Sequence, residues 1–178
     1  PVAIVAADHP DNERLALEAI DVEYELIEPL SDSKLAQENE AIHPDGNLFR
    51  EININYGNSQ EEGEITVEGT YEVGMQDQAP LGTESGMAVP SEDGGIDLFV
   101  STQWLHADRD QVAACLNLPP EKVRLTLAGV GGAFGAREDI SLHIHLCLLA
   151  MRTGKPIKMS YSRTESFHGH VHRHPAQM

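Results

Sequence analysis

The chain has 178 residues, 40% of them hydrophobic and 15 of them glycine, which is a soluble globular composition with room for one large domain or two small ones. A net charge of −17 and the lack of any long apolar run argue against a nucleic-acid surface and a membrane span. The two cysteines, Cys115 and Cys147, lie outside any C-x-x-C pair, so no disulfide framework and no thiolate-bound cluster is encoded, and a reducing, cytoplasmic setting fits. Residues 1–100 carry 23 acids against three bases and residues 101–178 carry six acids against nine bases, so the second part is where a buried site costs least to build.

In chain order, residues 1–6 form an apolar run that predicts a buried strand. Turn and N-cap chemistry at 8–13 leads into a short amphipathic helix over 15–20, and the alternation at 22–27 predicts a second strand, together one β-α-β unit. Neither end of the chain has the polar character of natural termini, so the sequence reads as a piece of a longer polypeptide. Residues 31–63 are polar, with scattered apolar anchors, and read as an irregular connection between domains. Strands are then expected over 64–73, 84–89 and 96–102, the last two antiparallel across the Gly- and Asp-rich turn 90–95. A helix over 105–118 ends at Pro119-Pro120, and a strand at 123–127 follows. An apolar helix over 139–153 closes at Gly154, and a last strand spans 157–161. The order predicts an α+β fold.

The segment Gly129-Val130-Gly131-Gly132-Ala133-Phe134-Gly135 places four glycines between a strand and a helix. Such a loop is either a tight turn or a cradle whose exposed N–H groups take an anion or an oxo group, but it matches neither the P-loop nor the dinucleotide fingerprint. Glu138, expected to open the next helix, is either a first-turn acid on the helix dipole or a ligand-facing carboxylate. His168, His170, His172 and His174 alternate, so on a strand they would share one face and could hold a metal adventitiously. The expectation is nevertheless no metal site, because only Glu165 lies nearby in sequence and zinc usually draws its ligands from separate elements. His143 and His145 read as packing or capping residues, and Trp104 and His106 as candidates for an interface.

The segment from Gly131 to Glu138 resembles the G-G-G/A-F-G-x-K/R-E loop of the large, molybdopterin-binding subunit of molybdenum hydroxylases, the xanthine dehydrogenase and aldehyde oxidase family. Phe99-Val100-Ser101-Thr102-Gln103, Arg152-Thr153-Gly154-Lys155-Pro156, Ser162-Arg163 and Arg173-His174-Pro175 resemble further landmarks of that family, in the same order. Residues 1–30 look like the end of the preceding α/β hammerhead domain. The resemblance therefore implies three parts: that end over 1–30, a linker over 31–63, and the first mixed β/α lobe of the molybdopterin-binding domain over 64–178.

It further implies that Phe134 and Gly135, with Gly132 in the same loop, lie against a molybdenum–molybdopterin cofactor. Glu138 would orient the substrate, a purine or related N-heterocycle. The family's glutamine beside a metal oxo group falls on Gln78, counted back from Glu84, with Gln76 as competitor. Here Gln76-Asp77-Gln78-Ala79-Pro80-Leu81 departs from the usual G-G-Q-x-H-F. The family's catalytic base lies downstream of these landmarks, and its 2Fe-2S clusters and FAD sit on partner subunits or domains. The isolated chain is therefore expected to bind no molybdenum cofactor tightly and to be inactive without the remainder of the large subunit. The alternatives are an aldehyde oxidase or carbon monoxide dehydrogenase type of enzyme, or a stand-alone, non-catalytic binding or assembly module. Apolar faces left exposed would favour a piece of an enzyme over a stand-alone module.

Overall fold

The turn 90–95 folds as its composition predicts. Asp93 accepts a hydrogen bond from the Gly95 amide at 3.0 Å and pairs with Lys122 at 3.2 Å, so its carboxyl is held down at about 2. The flanking strands consequently return antiparallel.

In the computed structural model, which describes residues 1–58 and 63–178, the elements are α1 (Pro10–Glu18), α2 (Ser33–Glu38), β1 (Glu72–Val73), β2 (Ser85–Pro90), β3 (Ile96–Val100), α3 (Leu105–Leu116), β4 (Val123–Leu127), α4 (His143–Thr153), β5 (Ile157–Ser160), α5 (Arg163–Gly169) and β6 (Ala176–Gln177). The chain divides into two compact units, one of residues 1–17 with 70–178 and one of residues 18–69.

The first unit is built on a four-stranded sheet in the order β4-β3-β2-β5. β2 pairs antiparallel with β3 and β5, whereas β3 and β4 run parallel, a pairing that needs a crossover, and α3 supplies it. Ile96, Leu98 and Val100 point from β3 into one core with Val112 of α3 and Leu146, Cys147 and Ala150 of α4. Truncating Leu98 or Leu146 to alanine there would cost roughly 2–5 kcal/mol. Asn117 in the left-handed region ends α3, and Gly154 does the same for α4. A separate two-stranded ribbon joins β1 to β6, with Glu72 opposite Gln177. The architecture is α+β, and no described helix is long and apolar enough to cross a membrane.

Several expectations are corrected. Residues 1–6 and 22–27 form no strand, as they find no ladder partner among the described residues, so the expected β-α-β unit is not formed. The anticipated strand over 64–73 shrinks to β1, extended by Tyr71, which exchanges backbone hydrogen bonds with Met178 at 2.8 and 2.9 Å. Within the expected irregular connection 31–63, Asp32 caps α2 by accepting from the Lys34 and Leu35 amides at 2.8 and 3.0 Å. Asn47 anchors the same helix, its side-chain amide donating to the Ala36 carbonyl at 2.6 Å. Residues 59–62 of that stretch lie outside the described residues. α4 begins at His143 rather than at 139, so Glu138 does not sit in its first turn and the helix-dipole explanation of that acid does not apply. Residues 163–169 form α5, whose capping box is Ser162 and Glu165, so His168 is helical and the four alternating histidines do not share a strand face.

Candidate cofactor-facing loop and its buried base

The Gly-rich loop grows from the parallel pair: the Ala128 amide donates to the Val100 carbonyl at 2.8 Å, extending the β3–β4 ladder by one bond. Ser101 Oγ then holds the Gly129 carbonyl at 2.5 Å. Gly132, Phe134 and Gly135 all take positive φ, at 103°, 53° and 87°. Such a run turns backbone N–H groups outward and forms a concavity suited to anions and oxo groups. Phe134 projects from it with 77% of its surface exposed.

A second loop, 77–84, lies against the first. The Gly82 amide donates to the Gly131 carbonyl at 3.1 Å, and a Cβ on Gly131 would stand 2.9 Å from Gly82 Cα. Only two glycines permit this approach of backbones. Arg163 fastens the second loop from α5, donating to the Pro80 and Leu81 carbonyls at 2.6 and 3.0 Å.

Beneath both loops is a buried charged layer. Arg137 pairs with Glu84 through Nη1 and donates from Nη2 to the Gly82 carbonyl at 2.5 Å. Burial alone would raise the Glu84 carboxyl, but the Ser166 hydroxyl, its own backbone N–H and the charges of Arg137 and His170 outweigh it and hold that carboxyl below its usual range. The Arg137 backbone is held from the other side, its carbonyl accepting from the Gln103 amide at 2.9 Å. Thr102 bonds buried Asp108, and His143 Nε2 lies 3.9 Å from the same carboxylate. Burial raises the Asp108 carboxyl. Burial, and secondly Arg137, push the His143 imidazole down to about 4, so it is neutral near pH 7. His143 Nδ1 accepts from the Ser141 amide at 3.1 Å, just before the helix, and the ring is buried, in keeping with the packing role among those expected of it. Cys147 is driven up to about 12 by burial and is an inert core thiol.

Of the residues expected to form a site, Gly132, Phe134 and Gly135 share one exposed loop, and Glu138 follows half-buried. Gln78 lies on the abutting loop, with its Oε1 buried and without a hydrogen-bond partner, whereas Gln76 is drawn into the ribbon, its amide donating to the Arg173 carbonyl at 3.2 Å. The exposed loop fits a bound cofactor; the orphaned amide oxygen can only accept, so it would take an N–H of such a group, whereas an oxo oxygen would need the Gln78 Nε2 amide. Sequence reasoning missed Arg137, Glu84, Thr102 and Asp108 as the supports; a charged pair 53 positions apart leaves no local signal. A cavity of about 720 Å³ lies elsewhere in the same unit, against residues 1–17, β5 and α5, and contains none of these residues.

Residues 42–178 match the family model of the molybdopterin cofactor-binding domain. The chain belongs to that family. It is 33% identical over 182 residues to a probable xanthine dehydrogenase subunit of Bacillus subtilis, covering 99% of this chain and 24% of that protein. It is 37% identical over 182 residues to the nicotinate dehydrogenase large molybdopterin subunit of Eubacterium barkeri, covering 99% of this chain and 43% of that protein. The chain thus spans less than half the length of these relatives. Its fold superposes on the aldehyde oxidoreductase of Desulfovibrio gigas with a TM-score of 0.83 at 23% identity, over 95% of this chain and 19% of that one. The chain therefore has the family's fold, as the resemblance implied.

Proposed function

We propose that the chain supplies the first cofactor-facing lobe of a cytoplasmic molybdenum hydroxylase of the xanthine dehydrogenase type, acting on a purine or related N-heterocycle. The observation that carries this reading is the exposed Phe134 between left-handed Gly132 and Gly135, on a loop with no packing need to expose an aromatic ring. Gly132, Phe134 and Gly135 would hold the molybdenum–molybdopterin group through backbone N–H groups and the ring, and the Gln78 amide would hydrogen-bond one of its oxygens. When bound, that group supplies the two-electron oxidation of an electron-poor carbon. Glu138, close after the loop and without an ion-pair partner among the described residues, accepts a ring N–H of the heterocycle and orients it. The two relatives named for xanthine and for nicotinate favour such a ring as substrate.

Large apolar side chains including Leu26, Ile27, Phe49, Ile54 and Leu81 are almost wholly exposed, which favours a lobe that packs against further protein over a stand-alone module. In this reading electrons leave through 2Fe-2S and FAD partners, and the chain alone neither retains the cofactor nor turns over. The test is Glu138→Gln in the complete enzyme: kcat/KM for xanthine or nicotinate falls at least ~10-fold, about 1.4 kcal/mol of lost transition-state binding, while a small aldehyde is oxidised at an unchanged rate. Equal losses on both substrate classes would remove Glu138 from substrate orientation.

A further inference from the structure

A cluster distinct from the Gly-rich loop joins two segments that are distant in sequence. Asp77 follows β1, and His170 and His172 follow α5; these three offer ligand atoms that all lie within 4.8 Å of one another. Asp77 Oδ2 stands 3.1 Å from His170 Nε2 and 2.9 Å from His172 Nε2. Donors bound about 2.0–2.1 Å from one zinc ion are separated by about 2.8–3.4 Å at octahedral to tetrahedral angles. The spacing suits a shared cation.

A hydrogen-bonded ion pair would explain the distances equally well if the protons pointed at the oxygen. They do not: Asp77 Oδ2 and His170 Nε2 are both buried and both lack a hydrogen-bond partner. Each is costly to leave so. The other atoms of the same groups are already committed. Asp77 Oδ1 accepts from the Ala79 amide at 2.5 Å, and His170 Nδ1 faces Glu84 Oε1 at 3.1 Å. A carboxylate on the far nitrogen fixes the tautomer that leaves Nε2 as a lone-pair donor, the outer-shell arrangement of metal-bound histidines. The two imidazoles stack with centroids 5.1 Å apart, and His170 is 2% exposed, so neither ring is free to turn away. The backbone sets the register: Gln76 and Arg173 exchange hydrogen bonds at 3.2 and 2.9 Å beside the cluster.

The geometry points to a divalent transition-metal site, best suited to zinc, in which Asp77, His170 and His172 clamp the loop that carries Gln78 to the segment after α5. Two imidazoles and one carboxylate suit zinc over magnesium or calcium, with water completing the shell. This proposal departs from the sequence-based expectation of no metal among the histidines, because the carboxylate lacking near them in sequence comes from Asp77, 93 positions before His170. This site does not depend on the cofactor reading.

The test uses the untagged, complete protein, stripped with a chelator and titrated with Zn²⁺ alone, with zinc and molybdenum counted separately by elemental analysis. One equivalent of zinc is expected with submicromolar affinity and a rise in Tm. Asp77→Asn and His172→Ala should each weaken binding about 100-fold, whereas the His168→Ala, His174→Ala double variant should bind as wild type. Circular dichroism confirms the fold of each variant, and if one fails to fold the other decides. No stoichiometric zinc on the folded wild-type protein, or binding lost only in the His168/His174 double variant, would overturn the site. Zinc present with molybdenum absent would leave this site standing and count against the cofactor reading alone.

Discussion

The tip and the base of the Gly-rich loop are neighbours in sequence and opposites in environment. Phe134 is 77% exposed at φ 53°, while three residues on Arg137 is 4% exposed and ion-paired, and His143 is 3% exposed. The tip makes little contact that could hold its own shape. Its conformation is imposed by the layer beneath, where Arg137 ties the loop to Glu84 and Gly82 and Gln103 takes the Arg137 carbonyl. An exposed loop tip of this kind is held in shape by buried electrostatics rather than by packing at the surface itself.

The comparison is broken most severely at the base. Arg137→Met strips buried Glu84 of its ion-pair partner and leaves it only Ser166, its own N–H and His170, with an expected loss of about 3 kcal/mol in urea unfolding, part of which Glu84→Gln restores in the double variant. A loss below ~1 kcal/mol would remove the brace. Acid attacks the same layer. The folded-state pKa of His143, about 4, lies below its ordinary 6.5, so between these values the unfolded chain binds more protons and stability falls with falling pH. The fall amounts to about 3 kcal/mol and should be absent in His143→Gln. Asp108, raised by burial, holds its proton more readily when folded and so opposes the fall at the acid end. Thermal unfolding across pH 4–7 reads both.

Smaller effects are expected towards the tip. Gly131→Ala forces a Cβ to within 2.9 Å of Gly82 Cα, backbone that cannot step aside, and should cost roughly 1–3 kcal/mol. Gly135→Ala meets no atom within 4 Å and should cost only the strain of φ 87°, about 1–2 kcal/mol. If Gly135→Ala destabilised more than Gly131→Ala, the close approach of the two loops would not be what shapes the site.

Much of the sheet was legible because its signals are local. The Asp-Gly turn at 93–95, Pro119-Pro120 and Gly154 each mark a boundary by chemistry confined to a few residues. The loop itself was legible through its glycines, whose positive φ values at 132 and 135 no ordinary residue takes cheaply. Residues 1–6 misled because an apolar run marks residues suited to burial but says nothing of whether a partner ladder exists. The histidine run misled in the same way: its period suggested one face, but Ser162-x-x-Glu165 starts a helix that carries His168 away, a signal present in the sequence and read only as a family landmark. Glu84–Arg137 and Asp77–His170 were illegible, since each joins residues that only the folded topology brings together.

The most direct measurement is the molybdopterin content per polypeptide of the complete enzyme carrying Phe134→Ala. Truncating an exposed ring should leave Tm and unfolding free energy within about 0.5 kcal/mol of wild type. Cofactor occupancy should nevertheless fall several-fold if the ring and its left-handed backbone form part of the cofactor's seat, as proposed. Unchanged occupancy in a fully folded variant would contradict that proposal.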